Sequence, residues 1–245
     1  MVYAALTDVG LKRTNNEDSY VINDNNKKKK LFIVADGMGG HNAGEIASSE
    51  AAKMVEDYVF SHDGNIDDVL TEAVYGANRE LFIRASENSA MSGMGTTIDA
   101  CVVEKNKIHI AHVGDSRVYV LNNDLMRKIT KDHSIVGMML DSGSITEEEA
   151  RNHPQRNFIT RAVGTAMTIE VDIVHETIHN GEWVLMCTDG LTNMVPKDEI
   201  HHIITSASDV NEAVDGLVNK AKQNGGDDNI TVVLLHWPAR KGRNK

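Results

Sequence analysis

The chain has 245 residues, 41% of them hydrophobic and 25% charged, which supplies a sizeable core and excludes wholesale disorder. Its 25 lysines and arginines stand against 36 aspartates and glutamates, a net charge of −11 that repels nucleic acid and anionic membranes and favours cationic partners, metal ions included. The opening MVYAALTDVG has no basic stretch leading into an apolar core, and no window approaches the roughly 18 uninterrupted apolar residues of a membrane span, so a cytoplasmic protein is expected.

In chain order, apolar runs rich in β-branched residues at 31–35, 98–103, 108–113, 117–121, 183–187 and 230–235 are each bounded by Gly, Asn or Asp and predict strands. Helical periodicity predicts helices over about 44–60, on Ile66, Val69, Leu70, Ala73, Val74, Ala77 and Leu81, and on Val210, Ala213, Val214, Leu217, Val218 and Ala221. Asn65 and Ser208 occupy N-cap positions. The strands cluster as neighbours instead of alternating with helices, and "VGDSR" between two runs predicts a hairpin, so the expected fold is α+β with mainly antiparallel sheet. Residues 131–161 contain "SITEEEARNHP", with Ser144 as a cap and acids in the first turn, and form an expected surface excursion. "NNKKKK" at 25–30 predicts a solvated hairpin tip and "PARKGRNK" a frayed basic tail. No linker divides the chain, so one domain over 1–240 is expected, with 241–245 as tail.

Two cysteines, Cys101 and Cys187, lie inside apolar runs, and neither is followed six residues later by arginine, so thiolate-based phosphate chemistry drops out. The informative residues are acidic. Asp36 ends the run LFIVA and Asp189 ends WVLMCT, placing both carboxylates at the C-terminal mouths of buried strands. Asp228 precedes ITVVLL, and if that strand is antiparallel to the other two its start falls at the same edge. Asp115, after IHIAHVG, reaches the same edge.

Asp-Gly taken alone is more often a turn than a ligand, but several carboxylates crowded together repel one another until a divalent cation neutralises them. All the donors are oxygen, and no cysteine or histidine cluster has zinc spacing, which points to Mg²⁺ or Mn²⁺. Glycines beside Asp36 and Asp189 let backbone approach an ion closely. The string GMGG lacks the spacing of a nucleotide-binding loop, and no GxxxxGK[ST] exists. Arg13, five residues before Asp18, suits an anionic substrate because a guanidinium grips two phosphoryl oxygens at once.

The set "TDVGLKRTNNEDSY", "VADGMGGHNAGE", "GMGTT", "HVGDSRVY", "TKDHS", "ITRAVG", "MCTDGLTNMV" and "GGDDNITVV", in this order from residue 7 to residue 233, resembles the metal-dependent protein serine/threonine phosphatases of type 2C, in particular their compact bacterial members. The resemblance implies a four-layer α-β-β-α sandwich of two antiparallel sheets flanked by helices, with two metals, Mn²⁺ or Mg²⁺, at one end. It implies that Asp36 bridges both ions, that the Gly37 carbonyl, Asp189 and Asp228 complete the first site, and that Glu17 or, preferentially, Asp18 serves the second. Asp115 with Asp189 corresponds to a third, weaker metal site, and Arg13 to the phosphate-gripping arginine.

Resemblance and residues agree on hydrolysis of phosphoserine and phosphothreonine in proteins, by in-line attack of a water whose pKa is lowered by two ions about 4 Å apart. A histidine often follows Asp-Gly in eukaryotic relatives; here that position is Met38 and the nearest histidine is His41, which leaves His41 or water as leaving-group acid. The excursion at 131–161 aligns with the family's mobile flap, where substrate choice resides. Expected partners are phosphorylated proteins and an opposing cytosolic serine/threonine kinase, with no nucleic acid and no membrane, and the chain is expected to be a monomer. Two alternatives remain: a catalytically silent binding module of the same fold, and a two-metal nuclease or phosphodiesterase, against which the acidic balance speaks.

Overall fold

The computed structural model describes residues 1–26, 28–39, 43–151 and 153–239. In chain order these form β1 (Val2–Asp8), β2 (Asp18–Asn23), β3 (Lys30–Met38), α1 (Ala43–Ser61), α2 (Ile66–Glu87), β4 (Gly95–Thr96), β5 (Ile98–Glu104), β6 (Lys107–Val113), β7 (Arg117–Leu121) and β8 (Met126–Lys128). The remainder comprises α3 (Ile135–Asp141), α4 (Glu147–Arg151), β9 (Asp172–Thr177), β10 (Trp183–Cys187), α5 (Asp189–Thr192), α6 (Lys197–Ser206), α7 (Val210–Gln223) and β11 (Ile230–His236). One sheet runs β1-β11-β10-β7-β8 and the other β2-β3-β5-β6-β9, with β4 added to the end of β3. Every pairing is antiparallel.

The period-2 geometry of strands explains why the central ones are continuous apolar runs. Phe32 and Val34 of β3, Ile110 of β6, Val118 of β7, Met186 of β10 and Val233 of β11 point into the space between the sheets. Their neighbours Leu31, Ile33 and Ala111 face outward beneath α1 and α2, while Leu185, Cys187, Val232 and Leu234 face outward beneath α6 and α7. Both faces of each central strand are therefore dry. This is the expected four-layer sandwich. Small residues Ala47, Ser48, Ala51 and Ala52 line the inner side of α1 and let it lie close to β3. The predicted inner residues of α2 and α7 are all buried but Ile66, which is half-buried. Fully burying each large side chain stabilises by about 1.5–3 kcal/mol. Cys101 and Cys187 are free, buried thiols, and burial raises both above the usual thiol range.

Several local expectations are corrected. The runs at 108–113 and 117–121 are not a hairpin: β6 pairs with β5 and β9, whereas β7 pairs with β10 and β8, so Gly114–Ser116 carries the chain from one sheet to the other. Gly114 has φ +114, a conformation that side chains resist, and it provides the sharp change of direction. The cap of α7 is Asp209, not Ser208: its carboxylate accepts from the Asn211 and Glu212 amides. The cap of α4 is Thr146, not Ser144: its hydroxyl accepts from the Glu149 amide and the Glu149 carboxylate accepts from the Thr146 amide, a reciprocal box. Lys29 is not part of a solvated tip: its ammonium is buried and donates to the Val59 and His62 carbonyls at the C-terminal end of α1. The basic tail 241–245 lies outside the described residues.

Candidate metal centre

The two sheets present their active edge where β3 and β10 end and β2 and β11 begin. The Asp36 backbone makes three hydrogen bonds: its amide donates to the Thr97 hydroxyl at 2.9 Å, and its carbonyl accepts from the Thr96 hydroxyl and the Thr97 amide, each at 2.9 Å. Directly across the β2–β3 ladder from Asp36 stands Asp18. Asp189 opens α5 immediately after β10, and the Asn193 amide nitrogen donates to its carboxylate at 2.9 Å. Asp228 precedes β11, its carboxylate accepting from the Asn229 amide and from the Arg13 guanidinium, both at 2.9 Å. Asp115 lies on the link between sheets.

Four of the aspartates act on the fifth, Asp36. Burial, and then the like charges of Asp18, Asp189, Asp115 and Asp228, hold the Asp36 carboxyl well above the usual carboxylate range. Burial with Asp189 and Asp132 pushes Asp115 up to about 8, against the opposing pull of Arg117. Burial with Asp228 raises Asp189 to about 6. Burial dominates at Asp18, raised to about 7 even though two hydroxyls donate to it. Glu17 is raised, by burial first, with Asp228 and Glu45 adding and Arg13 opposing. Protein cations offset this charge only in part: Arg117 and Lys128 are both bound to Asp132, and Arg13 stands at the rim, paired with Asp228.

The donor set fits a hard divalent cation. It consists of carboxylates gathered at the mouth of the sandwich whose charges act on Asp36, and the backbone beside them is stripped of side chain where it must be. At Gly37 a Cβ would lie 2.1 Å from the Gly44 carbonyl oxygen and 2.4 Å from that of Glu17, so only glycine places this carbonyl between β2 and α1. At Gly190 a Cβ would meet the Asn229 carbonyl oxygen at 1.9 Å, so α5 touches the start of β11 backbone to backbone. The structure thus brings together Asp18, Asp36, Gly37, Asp115, Asp189, Asp228 and Arg13 at one end. His41, singled out as a leaving-group acid, lies outside the described residues.

Sequence reasoning missed the residues that hold the acids in place. The Thr188 and Thr231 hydroxyls, from β10's end and β11, both donate to Asp18 Oδ2, at 2.9 and 2.7 Å, locking a carboxylate of one sheet to the other. Asn229 ties three segments: its amide nitrogen donates to the Val9 and Asn15 carbonyls and its oxygen accepts from the Glu17 amide. All three lie in the motifs "MCTDGLTNMV" and "GGDDNITVV", close to Asp189 and Asp228. The side chains' direction across the sandwich was the missing information.

A carboxylate-lined mouth on a four-layer sandwich, with an arginine at its rim, defines a metal-dependent phosphohydrolase. Comparisons bear this out. Residues 12–234 match the sequence profile described as Protein phosphatase 2C. The serine/threonine phosphatase stp of Listeria innocua is 40% identical over 234 residues, covering 94% of this chain and 93% of the relative. The protein phosphatase PhpP of Streptococcus pneumoniae strain D39 is 38% identical over 240 residues, covering 96% and 97%. A crystal structure of a bacterial serine phosphatase superposes with a TM-score of 0.90 at 35% identity, covering 98% of this chain and 99% of that one. A catalytic domain of the serine threonine protein phosphatase PstP, solved with 2 manganese ions, superposes with a TM-score of 0.84 at 34% identity, covering 95% and 96%. The chain belongs to the protein phosphatase 2C family and is a metal-dependent protein serine/threonine phosphatase.

Proposed function

We propose that the chain removes phosphate from phosphoserine and phosphothreonine in proteins by holding two divalent cations, Mn²⁺ or Mg²⁺, among its converging aspartates. The convergence of four like charges on Asp36 is the observation that carries this reading. Asp36, the Gly37 carbonyl, Asp189 and Asp228 would hold the first ion, and Asp18, with Asp36 again, would hold the second, directly or through water. Asp115 and Asp189 would hold a third, more weakly. Bound there, the cations supply an acidified water and positive charge for the phosphoryl oxygens.

The protein's own groups do the rest. Arg13 is about half exposed and anchored on one nitrogen by Asp228, and among the described residues its other N–H groups make no further hydrogen bond, which leaves them for phosphate oxygens. Thr188 and Thr231 keep Asp18 from swinging out of register, and Asn193 orients Asp189. Residues 131–161, carrying α3 and α4, border a cavity of about 110 Å³ that joins Asp115 and Asp189 to Arg151 and Arg156, and substrate choice resides there. The proposal extends to a cytoplasmic monomer that opposes a serine/threonine kinase. Among the described residues no helix is long and apolar enough to cross a membrane. The silent binding module is not favoured, because none of Asp36, Asp189 and Asp228 is missing from the sequence and the relatives are named as phosphatases.

Phosphate release from a phosphothreonine peptide tests the proposal. Release should require Mn²⁺ or Mg²⁺ and stop on EDTA addition. Metal-independent release, or none with either ion, would overturn it.

A further inference from the structure

On the helix-facing side of the other sheet, at the far end of β6 from Asp115, three side chains from distant parts of the chain meet. His109 of β6 and His175 of β9 are direct cross-strand partners, so their side chains leave the same face of the sheet. Alternation puts that face toward the helices, because Ile108 and Ile110 on either side of His109 fill the space between the sheets. There the first turn of α2 delivers Asp67. Asp67 Oδ1 lies 2.8 Å from His109 Nδ1, and Oδ2 lies 2.7 Å from His175 Nε2. The imidazoles meet edge to face with ring centroids 5.1 Å apart, and one ligand atom from each of the three residues falls within 4.8 Å of the other two.

We propose that Asp67, His109 and His175 form a second metal site, separate from the catalytic centre, that takes Zn²⁺. Two imidazole nitrogens and one carboxylate oxygen are a borderline-soft donor set, preferred by zinc over magnesium or manganese, whereas the carboxylate-lined mouth of the sandwich prefers the harder ions. The same chain therefore sorts two metals by donor chemistry. With zinc-to-ligand bonds of about 2.0–2.1 Å, a tetrahedron has edges of about 3.4 Å, so the nitrogen–oxygen pair that binds opens by about half an ångström and the remaining ligand atoms, now within 4.8 Å of one another, adjust to the same edge. Room for this exists: His175 is about half exposed and Asp67 about one-third. Exposure also leaves the fourth position to water. Bound zinc joins the start of α2 to two adjacent strands, three points separated by 42 and 108 residues along the chain, and so acts as a clip between layers.

Zinc added to protein already loaded with excess Mn²⁺ tests the site, with isothermal titration for stoichiometry and X-ray absorption at the zinc edge for ligand type. The expected result is one Zn²⁺ per chain with the multiple-scattering signature of two imidazoles, retained in a D36N variant. His109→Gln with His175→Gln should abolish the imidazole signature, and Asp67→Asn should weaken binding by about tenfold or more. Thermal unfolding in EDTA should match wild type for His175→Gln alone, which sits at the surface. Zinc held by oxygen ligands only, no binding, or an imidazole signature that persists in the double variant would overturn the proposal; the last outcome would place the metal on other histidines.

Discussion

Replacing Asp18 by Asn should make the metal-free protein more stable, and increasingly so as pH rises. Asp18 is only 7% exposed, and its carboxyl is raised to about 7 from 3.8 by burial, with Asp189 and Asp228 adding to the shift. A carboxyl whose folded value exceeds its unfolded one binds its proton more tightly when folded, so its favourable contribution is complete below about pH 4 and is lost as pH climbs through about 7. Between about pH 5 and about pH 8 most of two to three units of differential protonation accumulate, and at 1.36 kcal/mol per unit the loss is about 3 kcal/mol. Asn does not titrate, yet its side-chain oxygen still accepts from Thr188 and Thr231. Urea unfolding in EDTA, followed by circular dichroism across this range, should therefore show the variant-minus-wild-type gap widening by about 3 kcal/mol. Mn²⁺ should reverse the order by stabilising wild type more than the variant. A gap that is constant or narrows toward alkaline pH would refute the idea that Asp18 is held against its own charge.

Asp36→Asn removes the charge on which the other carboxylates converge, and losing several kcal/mol of transition-state stabilisation should lower kcat about a hundredfold or more in a Mn²⁺-dependent peptide assay. Arg13→Ala should instead raise KM by about tenfold with little change in melting temperature, since its ion pair with Asp228 is solvent-exposed. Gly37→Ala should cost about 3 kcal/mol in thermal unfolding, because the added methyl meets two backbone carbonyl oxygens, that of Glu17 just before β2 and that of Gly44 in α1, which cannot move independently. Lys29→Met should lose about 1–3 kcal/mol in urea unfolding, as the Val59 and His62 carbonyls at the end of α1 lose a charged donor.

The central strands were legible because both of their faces are largely dry, which writes apolar runs into β3, β10 and β11 and mostly apolar ones, broken by Asp99, His109 and His112, into β5 and β6. The edge strands β1, β2 and β9 were not, because their residues are mostly half-exposed and polar side chains interrupt the pattern. The same weakness hid α6, whose fully buried positions are Ile200 and Ile204 only. Which strands pair was also hidden. The short Gly114–Ser116 link reads as a hairpin turn, yet it changes sheets, because hydrogen-bond partners for β7 come from β8 and β10, distant choices that a local turn does not encode.

By itself the sequence determined that carboxylates and glycines stand at the ends of buried strands, that their oxygens call for a hard cation, and that no thiol does the chemistry. These are properties of residue type and of position relative to an apolar run, and both are local. Tertiary structure alone decided which acids face one another, that hydroxyls from β10's end and β11 lock Asp18, that Lys29 turns inward, and that Asp67, His109 and His175 meet. Each of these depends on side-chain direction across a sheet and on the packing of segments far apart in the chain, and neither is written in linear spacing.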